Sequence, residues 1–159
     1  MLYNVYRPKK FLDVLGQPAA IILNNIAQSE RTIPHSILLT GTRGIGKTTL
    51  ARIFARAINC VGSGTKPCRK CYSCRLRAHP DIIEIDSTIY GSADSIYDLV
   101  HSMRLSPDYN RRVYILDEAH TLSSKAMSIL LKSVEEPRSS SIIFLLTTNE
   151  DKIDTALRS

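Results

Sequence analysis

The octapeptide Gly41-Thr42-Arg43-Gly44-Ile45-Gly46-Lys47-Thr48 fits the pattern G-x-x-x-x-G-K-[ST], a spacing suited to holding the phosphates of ATP. Gly44 and Gly46 let the backbone turn through conformations closed to other residues, so its N–H groups can surround phosphate oxygens. Lys47 is placed to reach the β and γ phosphates, and the Thr48 hydroxyl to ligate Mg²⁺. Thr42, Arg43, Ile45 and Thr49 complete the set expected around the nucleotide. A helix opening at about Gly46 would point its positive dipole end at the anion. Further along, Val-Tyr-Ile-Leu-Asp-Glu-Ala-His is an apolar strand ending in two carboxylates. Asp117 is expected in the Mg²⁺ shell, with Glu118 polarising the attacking water. The letters Asp117-Glu118-Ala119-His120 also spell the box of one helicase class. Such a core needs two domains, so the match is read as coincidence.

A second group of residues could bind metal. Cys60, Cys68, Cys71 and Cys74 have the spacing C-x7-C-x2-C-x2-C, which suits tetrahedral Zn²⁺ in a reducing compartment. An iron–sulfur cluster and a pair of disulfides are the alternatives. Four protein ligands leave no open position, so a zinc ion here would be structural. Lys66, Arg69, Lys70 and Arg75 would offset the charge of four thiolates. His79 is read as an exposed histidine rather than a further ligand.

The elements that must position these residues alternate between apolar strands and helical patterns, which indicates an α/β fold with a parallel sheet and helices on both faces. The strands are expected at 36–40, 82–86, 113–116 and 142–147. A first helix carries Ala19, Ile22, Leu23 and Ile26 on one face, with Pro18 in its first turn. The helix after the phosphate loop buries Leu50, Ile53, Phe54 and Ala57. Ile96, Leu99, Val100 and Met103 mark another helix. A last one covers 122–134 and stops near Pro137. Cys60 to about Ala78 is a polar insertion, and 107–112 is a loop.

The chain has 159 residues, 43% hydrophobic and 23% charged, as in one soluble globular domain. Its net charge of +6 is compatible with a nucleic-acid partner or with a solvated basic surface. Arg104, Arg111 and Arg112 are candidates for DNA contact, although solvated surface charge is the plainer reading of each. No signal peptide and no membrane-spanning run is apparent, which points to the cytoplasm.

Taken in order, these motifs resemble the N-terminal ATPase domain of the bacterial DNA polymerase III gamma/tau family, the clamp-loader motor. Tyr6-Arg7-Pro8, Phe11, Val14, Gly16 and Gln17 carry the resemblance. So do the phosphate loop, the cysteine insertion behind its helix, Asp117-Glu118-Ala119-His120, Leu130-Leu131-Lys132 and Glu135-Glu136-Pro137. It implies an AAA+ P-loop core with sheet order 5-1-4-3-2, and an inserted zinc module at about 60–78. Tyr6, Arg7 and Pro8, with Val14 to Gly16, would wall the adenine pocket. Thr148 would be the first sensor of the γ-phosphate, and the helix after the acidic pair would pack toward ring neighbours. The implied partners are the other subunits of a pentameric ring, the sliding clamp and primer–template DNA. No membrane is implied.

The resemblance also implies a serine-arginine-cysteine motif, whose arginine enters the neighbouring subunit's ATP site. This sequence ends on Leu157-Arg158-Ser159, and Arg158 is not that arginine. Residues 1–159 are thus expected to form a truncated AAA+ domain with the fifth strand, helical lid and collar missing. The edge of the first strand would then be uncovered. Such a piece should bind nucleotide and turn it over slowly alone. Another AAA+ replication or recombination ATPase, or a non-catalytic ATP-binding assembly subunit, are the rival readings.

Overall fold

The computed structural model describes residues 8–14, 16–29, 33–135 and 141–148. They fall into two compact units. One comprises the described residues of Pro34–Lys47 and Pro80–Ser159, the other those of Met1–Ile33 and Thr48–His79.

The first unit holds a four-stranded parallel sheet. Its strands are β1 (Ser36–Thr40), β2 (Ile82–Asp86), β3 (Val113–Asp117) and β4 (Ile142–Thr147), in the spatial order β1-β4-β3-β2. This is the order expected, without a fifth strand among the described residues. The inner strands β3 and β4 are apolar and almost wholly buried, whereas the outer strands are half-buried. The difference follows from position, because an inner strand is flanked by backbone on both edges and an outer one is not.

On one sheet face, Tyr114, Leu116, Ile143 and Leu145 pack against Ile96, Leu99 and Met103, and against Ala126, Met127 and Leu130. These belong to or adjoin α5 (Ala93–Ser102) and α6 (Ser124–Glu135), counting α4 (Ser87–Tyr90) as the short helix before them. The alternate residues Val113, Ile115, Ile142, Phe144 and Leu146 are buried too. Each fully buried side chain of this size contributes roughly 1.5–3 kcal/mol. Helix α4 was not expected from periodicity. It is one turn long, and the Asp86 carboxylate caps it by accepting from Thr88 N at 2.9 Å.

The loop before β3 is fastened by Asp81, which is fully buried. Its carboxylate accepts from Asp108 N at 2.9 Å, Tyr109 N at 2.7 Å and the Arg112 guanidinium at 3.4 Å. Arg112 is therefore an internal ion-pair partner, not the solvated surface charge expected.

In the second unit, α1 is Pro18–Ser29, α2 is Lys47–Ile58 (its first residue lying in the other unit) and α3 is Tyr72–Arg75. The buried side of α1 is Ala20, Leu23 and Ala27, while Ile22 is 58% exposed. The expected face was rotated by about one residue. Apolar residues fill nearly every position from 18 to 23, so spacing alone does not fix which side turns inward. On α2 the expected Leu50, Ile53, Phe54 and Ala57 are buried, and so are Ala51, Ala55 and Ile58. Among the described residues, no helix is long and apolar enough to cross a membrane.

Candidate nucleotide site and cysteine cluster

Parallel strands bring their carboxyl ends to one edge. Thr40 pairs with Thr147, and Leu116 pairs with Leu145, so Asp117 stands level with Leu146. β4 thus lies between the strand that feeds the phosphate loop and the strand that carries the acidic pair. Neighbouring strands are about 4.8 Å apart, which puts the two strand ends roughly 10 Å from each other.

The loop leaves β1 at Thr40, with Gly41, Gly44 and Gly46 at φ of 144°, 85° and 103°. At Gly44 and Gly46 these are the conformations closed to other residues that were expected there. Thr42, Arg43, Gly44 and Ile45 are exposed, forming an open rim. Lys47 begins α2 and is only 8% exposed. Its Nζ donates to Gly41 O at 2.6 Å and Thr42 O at 3.0 Å. The ammonium is thereby held within the loop's own curve, where an anion cradled by the loop would meet it. Thr48 and Thr49 follow in the first turn of α2, both half-buried.

Asp117 ends β3, and its Oδ1 accepts from Glu118 N at 3.0 Å. Glu118 itself stands at φ 50°, ψ 43°, a left-handed conformation that costs a non-glycine residue on the order of 1 kcal/mol or more. The bend starts a 3₁₀ turn over Ala119–Thr121 and returns the chain toward the end of β4. There Thr148 Oγ1 donates to Glu118 Oε2 at 3.3 Å. His120 Nδ1 lies 3.5 Å from the same carboxylate oxygen and 3.1 Å from Thr147 Oγ1. The structure thus gathers Glu118, His120, Thr147 and Thr148 at one strand edge. The carboxylate is oriented by these neighbours. His120 and Thr147 were missed from the sequence. No sequence signal marked them, because positions two apart on a helical turn do not ordinarily face each other, and it is the left-handed bend at Glu118 that brings His120 to its carboxylate.

Of the residues expected at the adenine, Pro8 and Val14 are half-buried and Gly16 is exposed, all before α1. Tyr6 and Arg7 lie outside the described residues, as do Glu136, Pro137 and Arg158.

The Sγ atoms of Cys60, Cys68, Cys71 and Cys74 all lie within 4.8 Å of one another, and none is in a disulfide. A tetrahedral Zn²⁺ with Zn–S bonds of about 2.3 Å needs sulfurs about 3.8 Å apart, so the donor set fits such an ion. Backbone N–H groups already favour thiolate at two positions. Cys68 Sγ accepts from Cys71 N at 3.3 Å and Lys70 N at 3.5 Å, and these bonds lower its pKa to about 6. At Cys71 burial pushes upward, but the N–H groups of Cys74 and Val61 and the Cys74 thiol outweigh it, and the pKa falls. Burial raises Cys60, and lifts Cys74 to about 12. A cation held by the four sulfurs would displace whatever thiol protons remain.

The knuckle is braced from within its own unit. Ser73 Oγ donates to Asn59 O at 2.7 Å and lies 3.0 Å from His79 Nε2. His79 is 6% exposed, which corrects the expectation of an exposed histidine; its ring is a buried partner of Ser73. Arg56 of α2 donates to the carbonyls of Cys74 at 3.3 Å, Leu76 at 3.0 Å and Arg77 at 3.3 Å.

The sequence model of the family described as "DNA polymerase III, delta subunit" matches residues 16–159. Among curated proteins, the chain is 38% identical over 157 residues to the DNA polymerase III subunit tau of Bacillus subtilis, covering 96% of this chain and 28% of that protein. It is 36% identical over 164 residues to the DNA polymerase III subunit gamma of Buchnera aphidicola, covering 100% of this chain and 45% of that one. The chain therefore spans less than half the length of these relatives. Among solved structures, the RuvB Holliday junction branch migration motor of Thermotoga maritima superposes with a TM-score of 0.66 at 20% identity, over 96% of this chain and 45% of that chain. A DNA polymerase III gamma subunit-related protein from the same organism gives 0.62 at 18% identity, over 88% and 44%. At such identities these likenesses bear on the fold alone, and they agree with an AAA+ core.

Proposed function

Since the chain belongs to the DNA polymerase III delta-subunit family, we propose that it is the ATP-binding and ATP-hydrolysing part of a clamp-loader subunit of the gamma/tau kind. Its partners are the other subunits of a pentameric ring, the sliding clamp and primer–template DNA, and it works in the cytoplasm. ATP binding favours the ring state that opens the clamp and grips DNA; hydrolysis releases both.

The observation that carries the reading is the Glu118 carboxylate, turned by a left-handed residue onto Thr148 at the edge where the phosphate loop leaves β1. A subunit that used ATP only to hold a shape would not need an oriented carboxylate there. The loop amides and Lys47 hold the phosphates, with Thr42, Arg43, Ile45 and Thr49 around them. Glu118 orients the attacking water, with Thr148 sensing the γ-phosphate beside it. Thr48 and Asp117 are the Mg²⁺ ligands, and the ion supplies charge neutralisation on the phosphates. Tyr6, Arg7, Pro8, Val14 and Gly16 take the adenine. An arginine from a neighbouring subunit contributes in trans, a contribution worth roughly 10³–10⁵ in rate. Cys60, Cys68, Cys71 and Cys74 hold a structural Zn²⁺.

The resemblance to the Holliday-junction motor is one of fold, while the gamma and tau relatives share 36–38% identity over the chain, which favours the clamp-loader reading. The test is single-turnover release of γ-phosphate by the full protein assembled with its partner subunits. Wild type should release it, and Glu118→Gln should still bind ATP while slowing release by about 10²-fold or more. No release from the assembled wild type would leave a non-catalytic ATP-binding subunit.

A further inference from the structure

The stretch from Thr48 to His79 contains Arg52, Arg56, Lys66, Arg69, Lys70, Arg75 and Arg77 and neither Asp nor Glu. Most of this charge is gathered, not scattered. A cavity of about 350 Å³ is lined by Lys9, Arg52, Arg56, Arg69, Arg75 and Arg77, with Ile53, Pro67 and Leu76 as apolar wall. No carboxylate is among its described lining residues. Like charges gathered around one cavity repel one another, and an anion seated among them relieves that repulsion. The cysteine cluster beside them does not cancel their charge. Four thiolates around a divalent ion leave two negative charges against six cations.

The pocket is also held in shape. Arg56 spends its guanidinium on the carbonyls of Cys74, Leu76 and Arg77, which fixes the backbone carrying the exposed side chains of Arg75 and Arg77. Planar guanidinium forks on a fixed backbone suit phosphate oxygens. The volume lies at the lower end of the roughly 300–1,000 Å³ of small-ligand sites, which fits a compact anion. We propose that this pocket binds a phosphate-bearing anion of di- or triphosphate size. The phosphates come either from a free polyphosphate or from the backbone of a nucleic-acid strand. The binding does not depend on the ammonium of Lys47. Thr49 and Pro8 also line the cavity, so the nucleotide loop must be silenced to see it.

The experiment uses the full, metal-loaded chain carrying Lys47→Ala. Inorganic triphosphate is titrated calorimetrically, and a short single-stranded oligonucleotide by fluorescence anisotropy at several salt concentrations. At least one should bind, and Arg75→Glu with Arg77→Glu should weaken it by about tenfold or more and flatten its salt dependence. Loss of triphosphate binding identifies the free anion as the ligand; loss of oligonucleotide binding alone identifies the strand. Arg77→Gln, a milder change at an exposed side chain, should give a smaller loss in the same direction, and metal content reports that the knuckle is intact. The proposal is overturned if neither probe binds. It is equally overturned if binding is untouched by the Arg75 and Arg77 changes while metal content is normal.

Discussion

Replacing Arg56 with methionine keeps most of the aliphatic stem and removes the guanidinium. Three carbonyls then lose a charged donor, at 3.3, 3.0 and 3.3 Å. A well-formed hydrogen bond to a charged group is worth about 1.5–3 kcal/mol net. Only the bonds to Cys74 and Leu76 are part-buried, and the bond to Arg77 is exposed. The two longer bonds are also at the weak end of the geometric range. The expected loss is therefore about 2 kcal/mol, well below three times the full value. For a chain of this size that lowers the melting temperature by about 4–8 °C. Arg56→Lys should lose roughly half as much, because one ammonium cannot face three carbonyls. Denaturant melts monitored by circular dichroism provide the measurement. A change under about 0.5 kcal/mol for Arg56→Met would refute the claim that this side chain fastens the cysteine segment to α2.

A Cβ placed on Gly62 would stand 2.5 Å from Cys68 Sγ, so Gly62→Ala should lower metal affinity by about tenfold or more in a competitive chelator titration; unchanged affinity would contradict the cluster's geometry. In metal-free protein at pH 7, Cys68 should be alkylated by iodoacetamide before the other three, because a pKa of about 6 leaves it mostly thiolate. Its rate should fall as the pH drops below that value, and bound metal should protect it; mass spectrometry showing equal rates at all four would count against this. Asp81→Ala leaves two N–H groups without their acceptor and the Arg112 guanidinium with only the exposed Asp108 carboxylate at 3.7 Å, and should cost about 3 kcal/mol in chemical denaturation.

The parts legible from sequence were those with local chemistry. The phosphate loop, the four strands and the cysteine spacing each depend on residues near one another in the chain, and the strand order was implied by the family resemblance. The side of α1 that is buried was not legible, because its first half, apolar at every position from 18 to 23, fits several orientations. His79 and Arg112 were misjudged for a related reason. A polar side chain looks solvated until its buried partner is known, and Ser73 and Asp81 become partners only through the fold. The grouping at Glu118 joins residues from the ends of two strands, 27 to 30 positions apart, and no periodicity announces it. Sequence could not show that the arginines after Thr48 line one cavity, since only folding gathers them.

The loop at Gly41–Thr48 is expected to bind ATP through the ammonium of Lys47. Equilibrium titration of Mg-ATP onto the full chain, wild type against Lys47→Ala, tests it most directly. The prediction is saturable binding by wild type that is weakened by about tenfold or more in the variant. Equal affinity in the two proteins, or no saturable binding by wild type, would contradict it.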